Sequence, residues 1–171
     1  MKLFIYLMLF VSSINTAYAS EYREIDWPEL QPEAERHLPP PMPNHGLDPF
    51  GNDPFGSDSW DPESYRQPFG EVVASLNNQK IRLPGFIVPL ETDGTNVTEF
   101  LLVPYFGACI HVPPPPTNQI VYVKYPKGIP IDIVWDAVWV NGTITTNSFT
   151  IDDTSSGYTM NAALVYPYDE G

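Results

Sequence analysis

The chain has few basic residues, and this shortage excludes one large class of partners. Its 171 residues include 8 lysines and arginines against 21 aspartates and glutamates, which gives a formal net charge of −13 at pH 7. A surface of this charge repels phosphate backbones, whose attraction to basic side chains is the main source of nucleic-acid affinity. We therefore expect no nucleic-acid partner.

Long apolar runs are missing beyond the N-terminus. Residues 1–19 have the three parts of a secretory signal: Lys2, an apolar stretch at 3–11 and a small-residue cleavage site at 17–19. The apolar stretch is too short to span a membrane, which takes about 20 residues, and no later segment approaches that length. We predict a signal peptide at 1–19 and a mature chain without a transmembrane segment, located in the periplasm or secreted.

A single cysteine, Cys109, excludes an internal disulfide. In an oxidising compartment such a thiol is buried and inert, paired between chains, or used for metal or redox work. The motifs of common enzyme sites are missing too, because the chain has no Gly-x-Ser-x-Gly elbow, no His-Glu-x-x-His helix and no Gly-rich phosphate loop. We expect a protein that is not an enzyme.

Proline and acidic residues are concentrated in residues 20–69. This stretch contains ten of the 20 prolines and eleven of the 21 acidic residues, with Asp-Pro-Phe-Gly at 48–51 and again at 53–56. Such a composition buries too little apolar surface to offset the entropy of ordering the chain. We predict a mostly disordered acidic linker, in which Trp27 and Leu30 anchor one short turn onto the folded body.

Residues 70–171 have the composition of a β domain. Five segments rich in Val, Ile, Tyr, Phe and Thr are bounded by Gly, Pro, Asn or Asp, with no amphipathic helix among them. They predict an all-β fold, a small five-stranded antiparallel barrel of the oligonucleotide/oligosaccharide-binding (OB) type, with a sandwich as the alternative. Asn141-Gly142 predicts a turn or bulge that bends a strand around a barrel corner. The predicted strands are Lys80–Leu90, Thr98–Tyr105, Gln119–Tyr125, Ala137–Asn147 and Tyr158–Val165.

The cysteine lies two residues before one of only three histidines, in the stretch Phe-Gly-Ala-Cys-Ile-His-Val-Pro-Pro-Pro-Pro that covers 106–116. In an extended segment Cys109 and His111 project from the same face, because side chains alternate with a period of two. Zinc and copper(I) prefer thiolate and imidazole ligands, whereas calcium and magnesium prefer oxygen. The other interpretation is structural, with Cys109 buried in the core and His111 hydrogen-bonded to backbone.

Three runs of the chain, at 81–91, 97–124 and 138–144, closely resemble the bacterial exported-protein family DUF3299, a domain of unknown function. The Gly-Ala-Cys-Ile-His-Val-Pro-Pro-Pro-Pro stretch is the most specific, and the resemblance covers about residues 72–168. It implies no established enzymatic activity. It points to zinc handling, since some members of the family are encoded beside a metal-responsive ABC-type transport system. The resemblance therefore implies a metal transport system or another envelope protein as partner.

Three positions that match the family motifs form the predicted metal site: Glu91, Cys109 and His111. A Cys/His/carboxylate set resembles a zinc centre with three protein ligands and an open fourth position. Asp93 is the reserve ligand, because it shares the face of Glu91 in an extended segment, and Glu99 is a weaker candidate. We therefore expect an exported metal-binding accessory protein, with zinc as the ion.

Two other functions stay open: a protein- or glycan-binding β module without metal, and redox use of the cysteine. A binding module needs an accessible surface, and several aromatic residues could form one that stacks a ligand. In a small β domain such residues more often belong to the core. The residues in question are Tyr105, Phe106, Tyr122, Tyr125 and Trp139.

Overall fold

The structure is a computed structural model that describes residues 21–36, 67–108 and 115–168. The predicted signal peptide and both Asp-Pro-Phe-Gly tetrads lie outside the described residues. Within the described ranges the chain forms eight strands joined by turns and short 3-10 helices, and no helix there is long and apolar enough to cross a membrane. The strands are β1 Arg23–Glu24, β2 Gln79–Thr92, β3 Asn96–Val103, β4 Val121–Pro130, β5 Val138–Thr145, β6 Phe149–Ile151, β7 Thr154–Ser156 and β8 Tyr158–Pro167.

Five of these strands close into a barrel in the order β2-β3-β4-β8-β5, and β5 pairs back with β2. Each predicted segment overlaps one barrel strand, so the predicted five-stranded OB-like barrel is confirmed. One pairing differs from the predicted antiparallel arrangement, because β4 and β8 run parallel. The reason is geometric: a closed ring with an odd number of strands cannot alternate direction throughout. The remaining strands add β1 at the edge of β2 and a separate β6–β7 hairpin.

The barrel interior follows the alternation of side chains along each strand. In β5, buried and half-buried residues alternate over the whole strand, and β2 alternates in the same way from Ile81 to Ile87. Because successive side chains point to opposite faces, one set from each strand points inwards. We call this buried set the inner core; it includes Ile81, Leu83, Phe100, Leu102, Val121, Val123, Val140, Ile144 and Met160.

Strands β3 and β4 are buried on both faces. All four residues of 100–103 are buried, as are all three of 121–123. Strands covered on both sides have near-continuous apolar sequences of this kind. Their outward side chains form a second apolar group on the outside of the barrel. We call it the outer cluster; its buried members are Leu101, Val103, Ala108, Ile120 and Tyr122.

The described N-terminal residues, 21–36, pack onto the barrel. Trp27 donates a hydrogen bond from its indole Nε1 to the carbonyl of Pro84 at 2.7 Å. Leu30 is fully buried in the inner core. The buried hydroxyl of Tyr158 donates to the Leu30 carbonyl at 2.8 Å and accepts a hydrogen bond from the Val73 amide at 2.6 Å. Trp27 and Leu30 therefore anchor a short turn, Trp27–Leu30, as predicted.

The bend in β5 occurs where the sequence predicts it. The pairing of β5 with β8 shifts register between Asn141 and Gly142, which is the mark of a β-bulge. A Cβ atom on Gly142 would lie 2.6 Å from the carbonyl oxygen of Asn161. Only glycine permits this close approach of the two strands, so the Asn-Gly pair sets the local curvature of the barrel.

Candidate functional site

Two carboxylates stand side by side at the border of the outer cluster. Glu91 on β2 and Glu99 on β3 are partners in the antiparallel register, and such partners point to the same face of the sheet. That face is the outer one, because the hydroxyl of Tyr122, a member of the outer cluster, donates a hydrogen bond to the Glu99 carboxylate. The outer cluster is therefore edged by two carboxylates, with Lys124, the β4 partner of Glu99, beside them.

The environment of Tyr122 brings Glu91 into the same group. Burial, the hydrogen bond to Glu99 and the charges of Glu99 and Glu91 together raise the pKa of Tyr122 to about 12. The ring of Tyr122 stacks on Phe149 of β6, with centroids 3.6 Å apart and planes 8° apart. The hydroxyl therefore stays protonated at neutral pH and acts as a hydrogen-bond donor beside two carboxylates.

Asp93 has a separate position, in the turn between β2 and β3. Its Oδ1 atom accepts hydrogen bonds from the backbone amides of Thr95 at 3.0 Å and Asn96 at 2.8 Å. The Asn96 side chain donates to Oδ2 at 3.1 Å. These bonds lower the pKa of Asp93 to about 2. Asp93 is exposed and its carboxylate organises the turn, a common role for aspartate at such positions.

Cys109 and His111, the two central residues of the predicted metal site, lie outside the described residues. The residue before them is placed: Ala108 is fully buried in the outer cluster. Beyond the segment, the Pro115 carbonyl accepts a hydrogen bond from Gln67 Nε2 at 3.0 Å. Among the residues that the structure describes, no three His, Cys, Asp or Glu side chains come together as a metal-binding group.

The five aromatic residues named from the sequence do not form one face. Tyr125 belongs to the inner core and Tyr122 to the outer cluster. Trp139 is half-buried on β5, apart from the other four. Tyr105 and Phe106 are exposed, at the turn that follows β3. The expectation that such residues belong to the core holds for Tyr122 and Tyr125 and fails for Tyr105 and Phe106.

An exposed group of rings does exist, and two of its three members, Phe86 and Trp135, were not predicted from the sequence. Phe106 meets Phe86 edge-to-face with centroids 6.1 Å apart, and it meets Trp135 at 6.5 Å. Phe106 is 62% exposed and Trp135 is 69% exposed. Trp135 could have been recognised from the sequence, because it stands beside Asp136 in a segment without strand alternation. We call Phe86, Phe106 and Trp135 the aromatic patch.

The closed five-stranded barrel with one parallel pair places the protein in the OB-like class. A family model for DUF3299, described as a protein of unknown function, matches residues 56–167, and the chain belongs to this family. It is similar to a DUF3299 family protein from Pseudomonas aeruginosa PAO1 whose crystal structure is solved. The two share 41% sequence identity and a TM-score of 0.70, over 88% of this chain and 98% of that chain. No curated protein matches the chain.

Proposed function

We propose that this protein is an exported metal-binding accessory in which Cys109, His111 and the carboxylate of Glu91 hold a zinc ion. Thiolate, imidazole and carboxylate are all zinc ligands, and three protein ligands leave a fourth position through which the ion can be exchanged. An accessory of this kind takes zinc from, or passes it to, a metal transport system or another envelope protein.

The observation that carries this proposal is that Ala108 and Glu91 lie on the same outer face of the barrel. Ala108 directly precedes Cys109 and is fully buried in the outer cluster. Glu91 stands at the border of that cluster, where its charge acts on Tyr122. The described chain therefore reaches the outer face one residue before Cys109, which supports a ligand set drawn from that face.

Glu91 is favoured over Asp93 as the carboxylate ligand. The oxygens of Asp93 already accept the hydrogen bonds that organise the turn, and a metal ion would have to replace them. Glu91 faces a second carboxylate, Glu99, across the strand pair. Like charges directly opposite each other destabilise a sheet. Lys124, the β4 partner of Glu99, offsets part of that cost, and a cation bound at Glu91 would offset more of it.

Native mass spectrometry of the purified exported protein, with zinc supplied, tests the proposal. We expect one zinc per chain in the wild type, none in Cys109→Ser, and one in the matched control Asp93→Asn. Absence of zinc from the wild type, or its full retention in Cys109→Ser, would contradict the proposal. Zinc should also protect a ligating thiol from alkylation, so equal alkylation of Cys109 with and without zinc would contradict its role as a ligand.

A second candidate function is a protein- or glycan-binding module without metal, and the aromatic patch favours it. Grouped apolar side chains on a protein surface commonly mark binding sites, and tryptophan is enriched among the residues that dominate binding energy. Phe106 and Trp135 are both largely exposed and in contact with each other. If zinc is absent, this surface is the best-supported site of function.

A further inference from the structure

We propose that the aromatic patch docks a basic segment of a partner protein, with an arginine of that segment stacked on Trp135. The inference rests on the second candidate function and names the chemistry of the partner. It does not depend on zinc binding. It follows from the exposure of the rings, the way the chain holds them in place, and the charge around them.

The turn after β3 holds Phe106 at its tip. Gly107, the next residue, has a φ of +80°, in the left-handed region that residues with a Cβ atom rarely adopt. This conformation turns the chain sharply and leaves the Phe106 ring exposed against Phe86 and Trp135. The backbone conformation at Gly107 thus keeps Phe106 exposed.

Trp135 is positioned by buried neighbours on the connection between β4 and β5. Val134, directly before it, packs into the inner core. The amide of Asp136, directly after it, donates a hydrogen bond to the Ile133 carbonyl at 3.2 Å. The backbone on both sides of Trp135 is therefore fixed while its ring remains exposed. A backbone that is ordered before binding reduces the entropy cost of docking.

The charge around the patch selects a cationic partner. Asp132 and Asp136 are exposed on the same connection as Trp135, and the whole chain has a net charge of −13. A guanidinium group stacks favourably on an aromatic face, with tryptophan the best acceptor, and nearby carboxylates strengthen its binding. A second copy of this acidic chain, or an anionic lipid surface, would be repelled.

The protein already makes this type of contact within itself. The guanidinium carbon of Arg82 lies 4.8 Å from the ring centroid of Trp139 on the outside of the barrel. The aromatic patch presents a comparable ring surface on Trp135, with acidic residues beside it. Arginine stacking is therefore a contact that fits the chemistry of this surface.

The patch is continuous with the face assigned to the metal. Phe86 packs against the outer cluster, which contains Ala108. Phe106 precedes Cys109 by three positions in the sequence. A partner docked on the patch would therefore lie on the same outer face of the barrel as Ala108.

Nuclear magnetic resonance of the ¹⁵N-labelled exported protein tests the docking proposal, with the hexapeptide Gly-Arg-Gly-Arg-Gly-Arg as the probe. The four tryptophans give separate indole signals, and the signal of Trp135 is assigned by its loss in Trp135→Ala. We expect the Trp135 signal to shift progressively with peptide. The Trp27 indole, hydrogen-bonded to Pro84, should not shift and serves as the internal control.

The second readout is the affinity for the peptide, measured from the shift of the Gly107 amide signal during the titration. Trp135→Ala should weaken peptide binding about threefold to fivefold, the range expected for an exposed cation–π contact. The double variant Asp132→Asn/Asp136→Asn should weaken it by about the same factor. The matched control Tyr168→Ala, an exposed aromatic residue beside Trp139, should leave the affinity unchanged.

Several results would overturn the proposal. One is an equal shift with a peptide in which citrulline, the neutral analogue, replaces arginine; another is equal movement of the Trp27 and Trp135 signals. If the Trp135 signal shifts with chitohexaose or with phosphatidylcholine vesicles but not with the arginine peptide, the basic partner is overturned and a binding function is kept. No shift with any probe would overturn both. Zinc stoichiometry, measured separately, bears only on the metal proposal.

Discussion

The same strands carry two apolar groups that differ in how they are covered. The inner core is enclosed by the barrel strands themselves and consists of side chains that alternate regularly along each strand. The outer cluster is covered by the irregular turn after β3, which contains Ala108, and by Phe149 of the β6–β7 hairpin, and it is edged by Glu91 and Glu99. This difference fits the proposed division of roles, in which the inner core maintains the fold and the outer face holds the zinc ion.

Two adjacent leucines on β3 give the sharpest test of this comparison. Leu102 points into the inner core and Leu101 into the outer cluster. We expect Leu102→Ala to lower the free energy of unfolding by about 4 kcal/mol and Leu101→Ala by about 2 kcal/mol, because a cavity next to irregular chain can collapse more completely. Urea unfolding of both variants measures the difference. Equal losses would show that the two groups are packed equally tightly.

Removing one buried hydroxyl tests how the N-terminal residues close the inner core. In Tyr158→Phe the Leu30 carbonyl and the Val73 amide lose their shared partner. We expect a loss of about 1–3 kcal/mol in the free energy of unfolding, together with faster proteolysis within residues 21–36. Tyr125→Phe, on β4, is the control for loss of a core tyrosine hydroxyl and should leave that proteolysis unchanged. Unchanged proteolysis in Tyr158→Phe would contradict the anchoring role.

Alkaline titration, followed residue by residue, addresses Tyr122 of the outer cluster. The pKa of Tyr122 is raised to about 12, so the unfolded chain, with a tyrosine pKa near 10, releases this proton first. The free energy of unfolding should therefore fall as pH rises from about 10 to about 12. Glu99→Gln removes a charge that raises the pKa, so the Tyr122 pKa should fall in that variant. Carbon-13 signals of the tyrosine Cζ atoms measure it, and an unchanged Tyr122 pKa would exclude the pairing with Glu99.

Removing the charge of Asp93, in the turn between β2 and β3, should have the smallest effect on the free energy of unfolding. Its pKa is lowered to about 2, so its contribution to stability is present above pH 4 and is lost as pH falls from about 4 to about 2. Asp93→Asn keeps an oxygen that can accept the turn hydrogen bonds and cannot titrate. We expect a small loss of stability at neutral pH, where the charge-assisted part of these hydrogen bonds is missing, and a flatter acid unfolding curve. A steeper curve in the variant would contradict the assignment of Asp93 to the turn.

The barrel strands could be predicted because local sequence and tertiary structure agree there. In β2 to β5 and β8, β-branched and aromatic residues alternate with other residues where one face is buried and form continuous runs where both faces are buried. Strand β1 has only two residues, and β6 and β7 have three each. Elements this short depend on tertiary pairing, so the sequence contains no periodic signal for them.

The candidate site was predictable only in part. The sequence identifies Glu91 as a ligand candidate, but its pairing with Glu99 depends on register shifts in β2 between Pro89 and Glu91 and between Glu91 and Thr92. A shift of register moves side chains to the opposite face, and no local pattern fixes where it occurs. The role of Asp93 likewise depends on the turn geometry around Asn96. Alternation alone therefore assigned Glu91 and Asp93 to one face, whereas the structure gives them different partners.

Zinc affinity in two matched variants tests the central claim most directly. Competition with a chromogenic chelator measures the dissociation constant for the wild type, Glu91→Gln and Asp93→Asn. If the ion binds at the outer face, Glu91→Gln should weaken binding at least about tenfold, and Asp93→Asn should change it by less than about twofold. Wild-type affinity in Glu91→Gln, or a larger loss in Asp93→Asn, would contradict a metal site at the outer cluster.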